Sequence, residues 1–279
     1  MINEITLYSL IILVSLGVLS AVLLYYVAQK FKVVEDHRID DVTGLLPGAN
    51  CGGCGFAGCR GLAEVIVKEE CLIGKKCPPG GVAVMDTIAA YLGLVAPKTE
   101  PKIAVVRCNG TIANALKKIH YDAVDSCAFA HTLFAGEGGC PNACLGCGDC
   151  VKSCLFDAME MNTETGLPLV KDNCTACGVC VKSCPRGIIE LRYRGKKERR
   201  IFVSCINKEK GAVARKNCAL ACIACGKCVK ICTFDAITMD NNLAYIDSDK
   251  CKLCRKCVSE CPTEAIWEVN FPALKSEVL

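Results

Sequence analysis

Histidine and tryptophan are nearly missing from this sequence of 279 residues, which holds three of the first and one of the second. None of the three histidines stands near a cysteine pair at zinc-finger spacing, so a mixed Cys/His zinc site has little to build on. An excess of either charge is missing too, with 33 Lys and Arg against 29 Asp and Glu. A formal net charge of +4 argues against a basic nucleic-acid-binding surface, and no nucleic-acid partner is expected. No G-x-G-x-x-G opens a helix after a strand, no S/T-G-A-T-like motif offers a covalent flavin site, and no nucleophile–base constellation stands out. The chain is therefore expected to carry no catalytic residue and no complete active site of its own.

What the sequence has in excess is cysteine, with 26 residues. That is about one residue in eleven, far above ordinary usage, and it argues against a conventional soluble enzyme with one apolar core. Disulfide scaffolds are typically short, secreted and stapled across distant loops. Here most cysteines recur every three residues and no cleavable signal peptide is visible. Zinc sites favour paired knuckles, and the dense triplet spacing points to iron–sulfur clusters instead.

Residues 5–29 contain no Asp, Glu, Lys, Arg or His and are mostly Ile, Leu, Val and Ala. As a helix they are long enough to cross a bilayer core of roughly 30 Å. A secretory signal is disfavoured by the missing basic n-region, the length and the lack of an A-x-A-like end. Glu4 precedes the stretch, whereas Lys30, Lys32 and Arg38 follow it, and Tyr25 and Tyr26 sit near its end. The positive-inside rule then leaves residues 30–279 in the cytoplasm, on a single-pass anchor in the cell (inner) membrane. With no charged residue in the span, this chain alone is a poor ion channel.

After a charged linker comes Cys51-Gly-Gly-Cys54-Gly-Phe-Ala-Gly-Cys59, and Cys77 leads into Pro78-Pro79-Gly80-Gly81. Glycines let backbone amides approach inorganic sulfide closely. Arg60–Glu70 has a pattern suited to a short helix carrying Cys59 at its start. Cys51, Cys54, Cys59 and Cys77 form the first expected ligand set, and Cys71 reads as a small buried hydrophobe.

The spacing C-x2-C-x2-C-x3-C occurs four times, at Cys144/Cys147/Cys150/Cys154, Cys174/Cys177/Cys180/Cys184, Cys222/Cys225/Cys228/Cys232 and Cys251/Cys254/Cys257/Cys261. In two-cluster ferredoxins the fourth cysteine of one run serves the neighbouring cluster. Cross-ligation gives four [4Fe–4S] sets: Cys144/Cys147/Cys150/Cys184, Cys174/Cys177/Cys180/Cys154, Cys222/Cys225/Cys228/Cys261 and Cys251/Cys254/Cys257/Cys232. Pro185 and Pro262 follow two of the fourth cysteines, while Leu155 and Thr233 depart from that pattern. Apolar stretches at Phe156–Met159, Phe234–Ile237, Ile188–Leu191 and Ala265–Trp267 are expected to cover the clusters.

The two pairs of runs are copies, and Cys127 and Cys140 precede Cys144 at the same offsets as Cys205 and Cys218 precede Cys222. Inherited packing explains these four cysteines in the simplest way. A shared sixth site is the sharper alternative, and a third has Cys140 and Cys218 as alternative first ligands of their own runs. Cys108 has no evident counterpart and reads as structural or as a substitute ligand. At least five [4Fe–4S] clusters are thus expected, and six if the additional cysteines ligate.

Between the glycine-rich part and the first run, Lys102–Arg107 reads as a strand and Thr111–Ala123 as a helix, with His120 and His131 as surface or packing residues. Arg192, Arg194, Lys196, Lys197, Arg199 and Arg200 read as a solvated connection that would also suit an acidic redox partner. The expected class is α+β: one transmembrane helix, a small Fe–S domain and duplicated two-cluster ferredoxin-like modules. Boundaries fall at 1–29 (anchor), 30–46 (linker), 47–95 (glycine-rich domain), 96–140 (linking α/β segment), 141–191 (first module), 192–218 (connection) and 219–279 (second module).

The span, the LLPGANCGGCGFAGC motif with its CPPGG closure and the duplicated ferredoxin runs together resemble the B subunits of Rnf complexes. Residues 45–81 are the most specific part and also resemble iron–sulfur domains of corrinoid proteins, from which the anchor separates this chain. The resemblance implies a membrane-bound, ion-translocating ferredoxin:NAD oxidoreductase. In it the B subunit takes electrons from soluble ferredoxin and hands them to other subunits, which carry flavins, the NAD site and the ion path. Two further readings remain at this point: an electron-transfer subunit of another membrane dehydrogenase or reductase, and a zinc-stabilised, membrane-tethered interaction protein.

Overall fold

The computed structural model describes residues 2–31, 36–97, 100–120, 122, 124–133 and 136–272. They fall into two compact units, Met1–Asp41 and Val42–Leu279. The first is dominated by helix α1 (Ile2–Lys30), whose apolar side chains are exposed all round, Leu13 at 74%. An apolar surface on every face has no place in water and fits a lipid environment. The polar groups inside it are satisfied locally: the Ser9 and Ser15 hydroxyls each donate to a carbonyl one turn back, at 2.9 Å. Residues 6–30 have the length and composition of a membrane span.

The expected linker is partly ordered. Helix α2 (His37–Leu45) runs across most of it, and Asp36 supports its start by accepting the N–H of Arg38 at 2.9 Å. Residues 32–35, including Lys32, lie outside the described residues. In the second unit, α3 (Cys59–Glu69) buries Leu62, Ala63, Ile66 and Val67 along one stripe. This is the short helix expected from the sequence, with Cys59 at its first position. A helix not anticipated from the sequence, α4 (Gly81–Leu92), follows the CPPGG turn and buries Met85, Ile88 and Ala89. Left-handed Gly93 closes it, placing the Leu94 N–H on the Ala89 carbonyl at 2.8 Å.

Strand β1 (Lys102–Val106) matches its expectation. Helix α5 (Cys127–Leu133), α6 (Asp149–Lys152), hairpin β2 (Met159–Met161) with β3 (Pro168–Val170), α7 (Val179–Ser183) and β4 (Ile189–Tyr193) complete the first module. β4 returns to pair antiparallel with β1, Val106 opposite Ile189. A 3₁₀ turn at Lys196–Glu198 leads to β5 (Arg200–Val203) and α8 (Gly211–Asn217). The plan then repeats: α9 (Lys227–Ile231), hairpin β6 (Ile237–Asp240) with β7 (Leu243–Ile246), α10 (Lys256–Ser259) and β8 (Ile266–Val269), which pairs with β5. Each copy therefore begins one strand earlier than its cysteines indicate. Each core is small and interleaved with thiols, for example Ile201, Val203, Ile246 and Ile266 around Cys228 and Cys257.

One expectation fails and another holds only in part. Thr111–Ala123 is no helix; a turn at its start gives way to extended bridges, Ala115 to Cys218 and Lys117 to Gly138. Its amides are claimed from outside: Leu116 N–H donates to Asn217, and Lys118 N–H to Glu137 at 2.8 Å. Those partners displace the intrahelical ones; Tyr121 and Ala123 lie outside the described residues. The basic run is a solvated connection only in part, with Lys196 and Lys197 exposed. Arg192 and Arg200 are 3% and 8% exposed because they sit in β4 and β5. The Arg192 guanidinium stacks on Phe202 and Tyr245, and Arg107 reaches the Val203 and Cys205 carbonyls and also covers Tyr245. These two arginines fasten one copy to the other.

Candidate metal centres

Every ferredoxin run is built on the same loop, and the loop is strained. The residue before the second cysteine is left-handed in all four runs: Gly146, Ala176, Ala224 and Leu253. So is the residue after it, Gly148, Gly178, Gly226 and Arg255, and the third residue past the fourth cysteine, Asp157, Gly187, Asp235 and Glu264. For a residue with a side chain this backbone costs roughly 1–2 kcal/mol. Turns of this kind aim successive N–H groups into one concavity, the arrangement that receives an anionic group. Thiol sulfurs collect those donors: Ala158 N–H reaches Cys154 Sγ at 3.4 Å, and the amides of Gly146 and Val179 serve Cys144 and Cys177.

The cysteines converge across the runs. Cys180 is faced by Cys174 and Cys177 of its own run and by Cys154 of the preceding one. Cys228 is faced by Cys222, Cys225 and Cys261, Cys150 by Cys184, and Cys251 by Cys254 and Cys232. Burial holds the thiols protonated, raising Cys150 and Cys228 to about 11 and Cys180 and Cys257 to about 12, with neighbouring sulfurs adding to the effect. A metal centre would displace those protons and remove the repulsion.

In the glycine-rich domain Cys59, Cys51 and Cys54 face Cys77, whose thiol burial raises and the Gly80 N–H lowers. Asn50 Oδ1 accepts the Cys59 N–H at 2.8 Å and fixes the loop over α3. Cys71 has a separate setting, its Sγ accepting the N–H of Ile73 in the next turn. The loop lies directly on the first module. A Cβ at Gly53 would stand 2.4 Å from the Cys177 carbonyl oxygen, and Cys51 faces the Cys177 thiol.

The additional cysteines group differently from the sequence expectation. Cys127 lines one cavity with Cys144, Cys150 and Cys184, and also faces Cys147. It does not join Cys140, Cys205 and Cys218. Cys108 does: all four line a single cavity between the copies. The offset that pairs Cys127 with Cys205 is a coincidence of spacing. Cys108 is two residues past β1 as Cys205 is two past β5, and a longer excursion in the first copy hides the correspondence. His120 is exposed beside Glu137, and His131 is exposed on α5.

Among the described residues no three His, Cys, Asp or Glu side chains stand close enough to share one metal ion. Ligands around a single zinc lie about 3.8 Å apart, given Zn–S bonds of about 2.3 Å in a tetrahedron. Thiols that each bind a different iron of a cube are more widely spaced. Four thiols converging from two runs are the donor chemistry of a cube.

Comparison with known proteins gives the same chemistry. A family described as "4Fe-4S dicluster domain" matches residues 140–191, and two further families of that description match 173–237 and 221–265. A "Putative Fe-S cluster" family matches residues 46–79. The chain is 42% identical over 260 residues to the B subunit of the proton-translocating ferredoxin:NAD(+) oxidoreductase complex of Clostridium ljungdahlii, covering 92% of this chain and 90% of the relative. It is also 42% identical to the B subunit of the Na(+)-translocating ferredoxin:NAD(+) oxidoreductase complex of Acetobacterium woodii, over 90% and 74%. Identity is 38% to the B subunit of the ion-translocating oxidoreductase complex of Methanosarcina acetivorans, over 95% and 98%.

Proposed function

The chain belongs to the family of B subunits of ion-translocating ferredoxin:NAD(+) oxidoreductase (Rnf) complexes, and from that premise we propose how it performs electron transfer. When bound, [4Fe–4S] clusters accept and release one electron at a time. Five ligand sets on this chain hold them: Cys51/Cys54/Cys59/Cys77, Cys174/Cys177/Cys180/Cys154, Cys144/Cys147/Cys150/Cys184, Cys222/Cys225/Cys228/Cys261 and Cys251/Cys254/Cys257/Cys232. The observation that carries this reading is the convergence of three loop thiols with the fourth thiol of the partner run.

The rest of the chain orients and insulates these thiols. Amides from the left-handed turns point at sulfur and stabilise its negative charge. Ala158, Ile188, Ala236 and Ile266 are buried and exclude water from them. Gly53 permits the backbone contact that brings the glycine-rich set beside Cys177. Redox-titrated EPR with iron and sulfide analysis tests the assignment; wild-type protein carrying at least about 20 irons is expected, at four per cube. A protein that fills its thiols with zinc would overturn it.

Soluble ferredoxin is the electron donor in this reading, and other subunits of the complex take the electrons on. Cys225 and Cys254 are the exposed thiols among the described cysteines, and both are in the second module. Lys250, Lys252 and Lys256 are exposed around Cys254, and Lys196 and Lys252 line a cleft that reaches Cys251. Acidic ferredoxin would dock there, on the basic face still exposed once Arg192 and Arg200 are buried. The span at 5–29 anchors the chain, with the cluster-bearing part cytoplasmic. Labelling of exposed lysines in oriented vesicles tests the side; reaction only from the outer face of the cell membrane would reverse it.

A further inference from the structure

We propose that Cys108, Cys140, Cys205 and Cys218 form a sixth [4Fe–4S] site, shared equally by the two copies. It rests on the reading that the other five sets hold cubes, and it adds a site that no ferredoxin run encodes. The four thiols come from four different segments: the ends of β1 and β5, and the stretches just ahead of the two runs. Cys108 faces Cys218, and Cys140 faces Cys108; Cys140 is also faced by Cys218 and Cys205.

The site has the symmetry of the duplication. Cys144 N–H, from the first cysteine of the first run, donates to Cys108 Sγ at 3.4 Å. Cys222, first in the third run, gives its N–H to Cys205 in the same way. Cys140 and Cys218 stand four residues ahead of Cys144 and Cys222, and their carbonyls accept the N–H groups of Ala143 and Ala221 at 3.2 Å. Two packing cysteines in one copy would have no reason to meet their counterparts from the other. Here each copy supplies one strand-end thiol and one loop thiol to a common centre.

The centre is built like the cube sites beside it. The four thiols line one cavity, as Cys222, Cys225, Cys228 and Cys261 line a second and Cys144, Cys150 and Cys184 a third. Each sulfur already has an N–H donor: Gly110 and Cys144 for Cys108, Asn142 and Ala143 for Cys140, Asn207 and Cys222 for Cys205, Leu220 for Cys218. The buried Asn207 adds its Nδ2 to Cys140 Sγ at 3.4 Å. Four thiolates around a cube need such donors to offset their charge. Arg107 lines the space, with its guanidinium paired to Glu190 at 3.1 Å. When loaded, the site would take one electron from a reduced cube in one copy, reoxidising it, and give it to a cube in the other.

The test is metal counting on the full chain in detergent, reconstituted anaerobically until iron and sulfide stop rising, with zinc measured alongside. The expected wild-type count is about 24 irons, with an equal number of sulfides, since six cubes carry four each. A plateau at about 20 overturns the sixth site alone, whereas a count well below 20 overturns the five-set reading beneath it. Cys108→Ala, Cys205→Ala and the double variant should each lose the same four irons, because they remove one cube. Full iron in Cys108→Ala would overturn the ligand set, and so would zinc in place of four irons. Should a variant fail to fold, the wild-type plateau still decides.

Discussion

The two ferredoxin copies share a plan and differ in what covers them. In the first, the glycine-rich loop lies on Cys177, and Lys182 Nζ reaches the Gly52 carbonyl at 3.5 Å. No cysteine of that copy is exposed. In the second copy Cys225 and Cys254 are exposed among the described residues, and lysines surround the latter. Duplication has thus given one module in contact with the glycine-rich loop and one with two exposed thiols. The same fold serves both because its ligands are local and its outer surface is free to diverge.

The largest effect should come from removing a ligand on the covered side. Cys59→Ala is expected to lose the glycine-rich cluster, about four irons, while Cys71→Ala keeps the wild-type count, since Cys71 serves only its own turn. A Cys71 variant lacking those irons would redraw the set. Next in size is the contact itself. Gly53→Val has no room beside the Cys177 backbone, so the loop must lift. Iron content should stay at the wild-type level, but magnetic coupling between neighbouring reduced clusters in EPR should weaken. Unchanged coupling would mean that the cover is not the electrical contact.

The open side is sharpened by charge. Reversing Lys250, Lys252 and Lys256 to Glu should slow reduction by ferredoxin at low salt by about tenfold, a loss that shrinks as added salt screens the surface. The same reversal at Lys152 and Lys182 on the covered copy should leave the rate within about twofold, well below the span that steering charges command. Equal slowing from both faces would remove the distinction between them.

The cysteine runs were legible in the sequence because their spacing is local: three thiols at fixed spacing need only one turn of chain. The span was legible because it lacks charge. What escaped depended on distant partners. Thr111–Ile119 has the periodicity of a helix, yet Asn217 and Glu137 take its amide bonds. Cys108 matches Cys205 only through strands β1 and β5, since 32 positions separate Cys108 from Cys140 but 13 separate Cys205 from Cys218. Arg192 looks solvated in a run of basic residues, and its burial follows from the Phe202 and Tyr245 rings of the second copy.

The smallest predicted difference lies inside the repeated loop. At the residue after the second cysteine the first copy has Gly148 and Gly178, whereas the last run of the second has Arg255, all left-handed. A Cβ at Gly178 would meet only Leu191 Cδ1, at 3.7 Å, so space is not the obstacle. Gly178→Ala should therefore cost backbone strain, about 1 kcal/mol once the lower freedom of the unfolded alanine chain is subtracted from roughly 1–2 kcal/mol. Arg255→Gly relieves the same strain but removes the ion pair to Glu268, 2.6 Å at Nε, and the stack on Phe271. Its net change should be close to zero, because the ion pair and the stack offset the relief. Anaerobic denaturant titrations, followed by loss of cluster absorbance, can compare the two variants. A large loss from Arg255→Gly would show that the second copy depends on its arginine clamp more than on the turn.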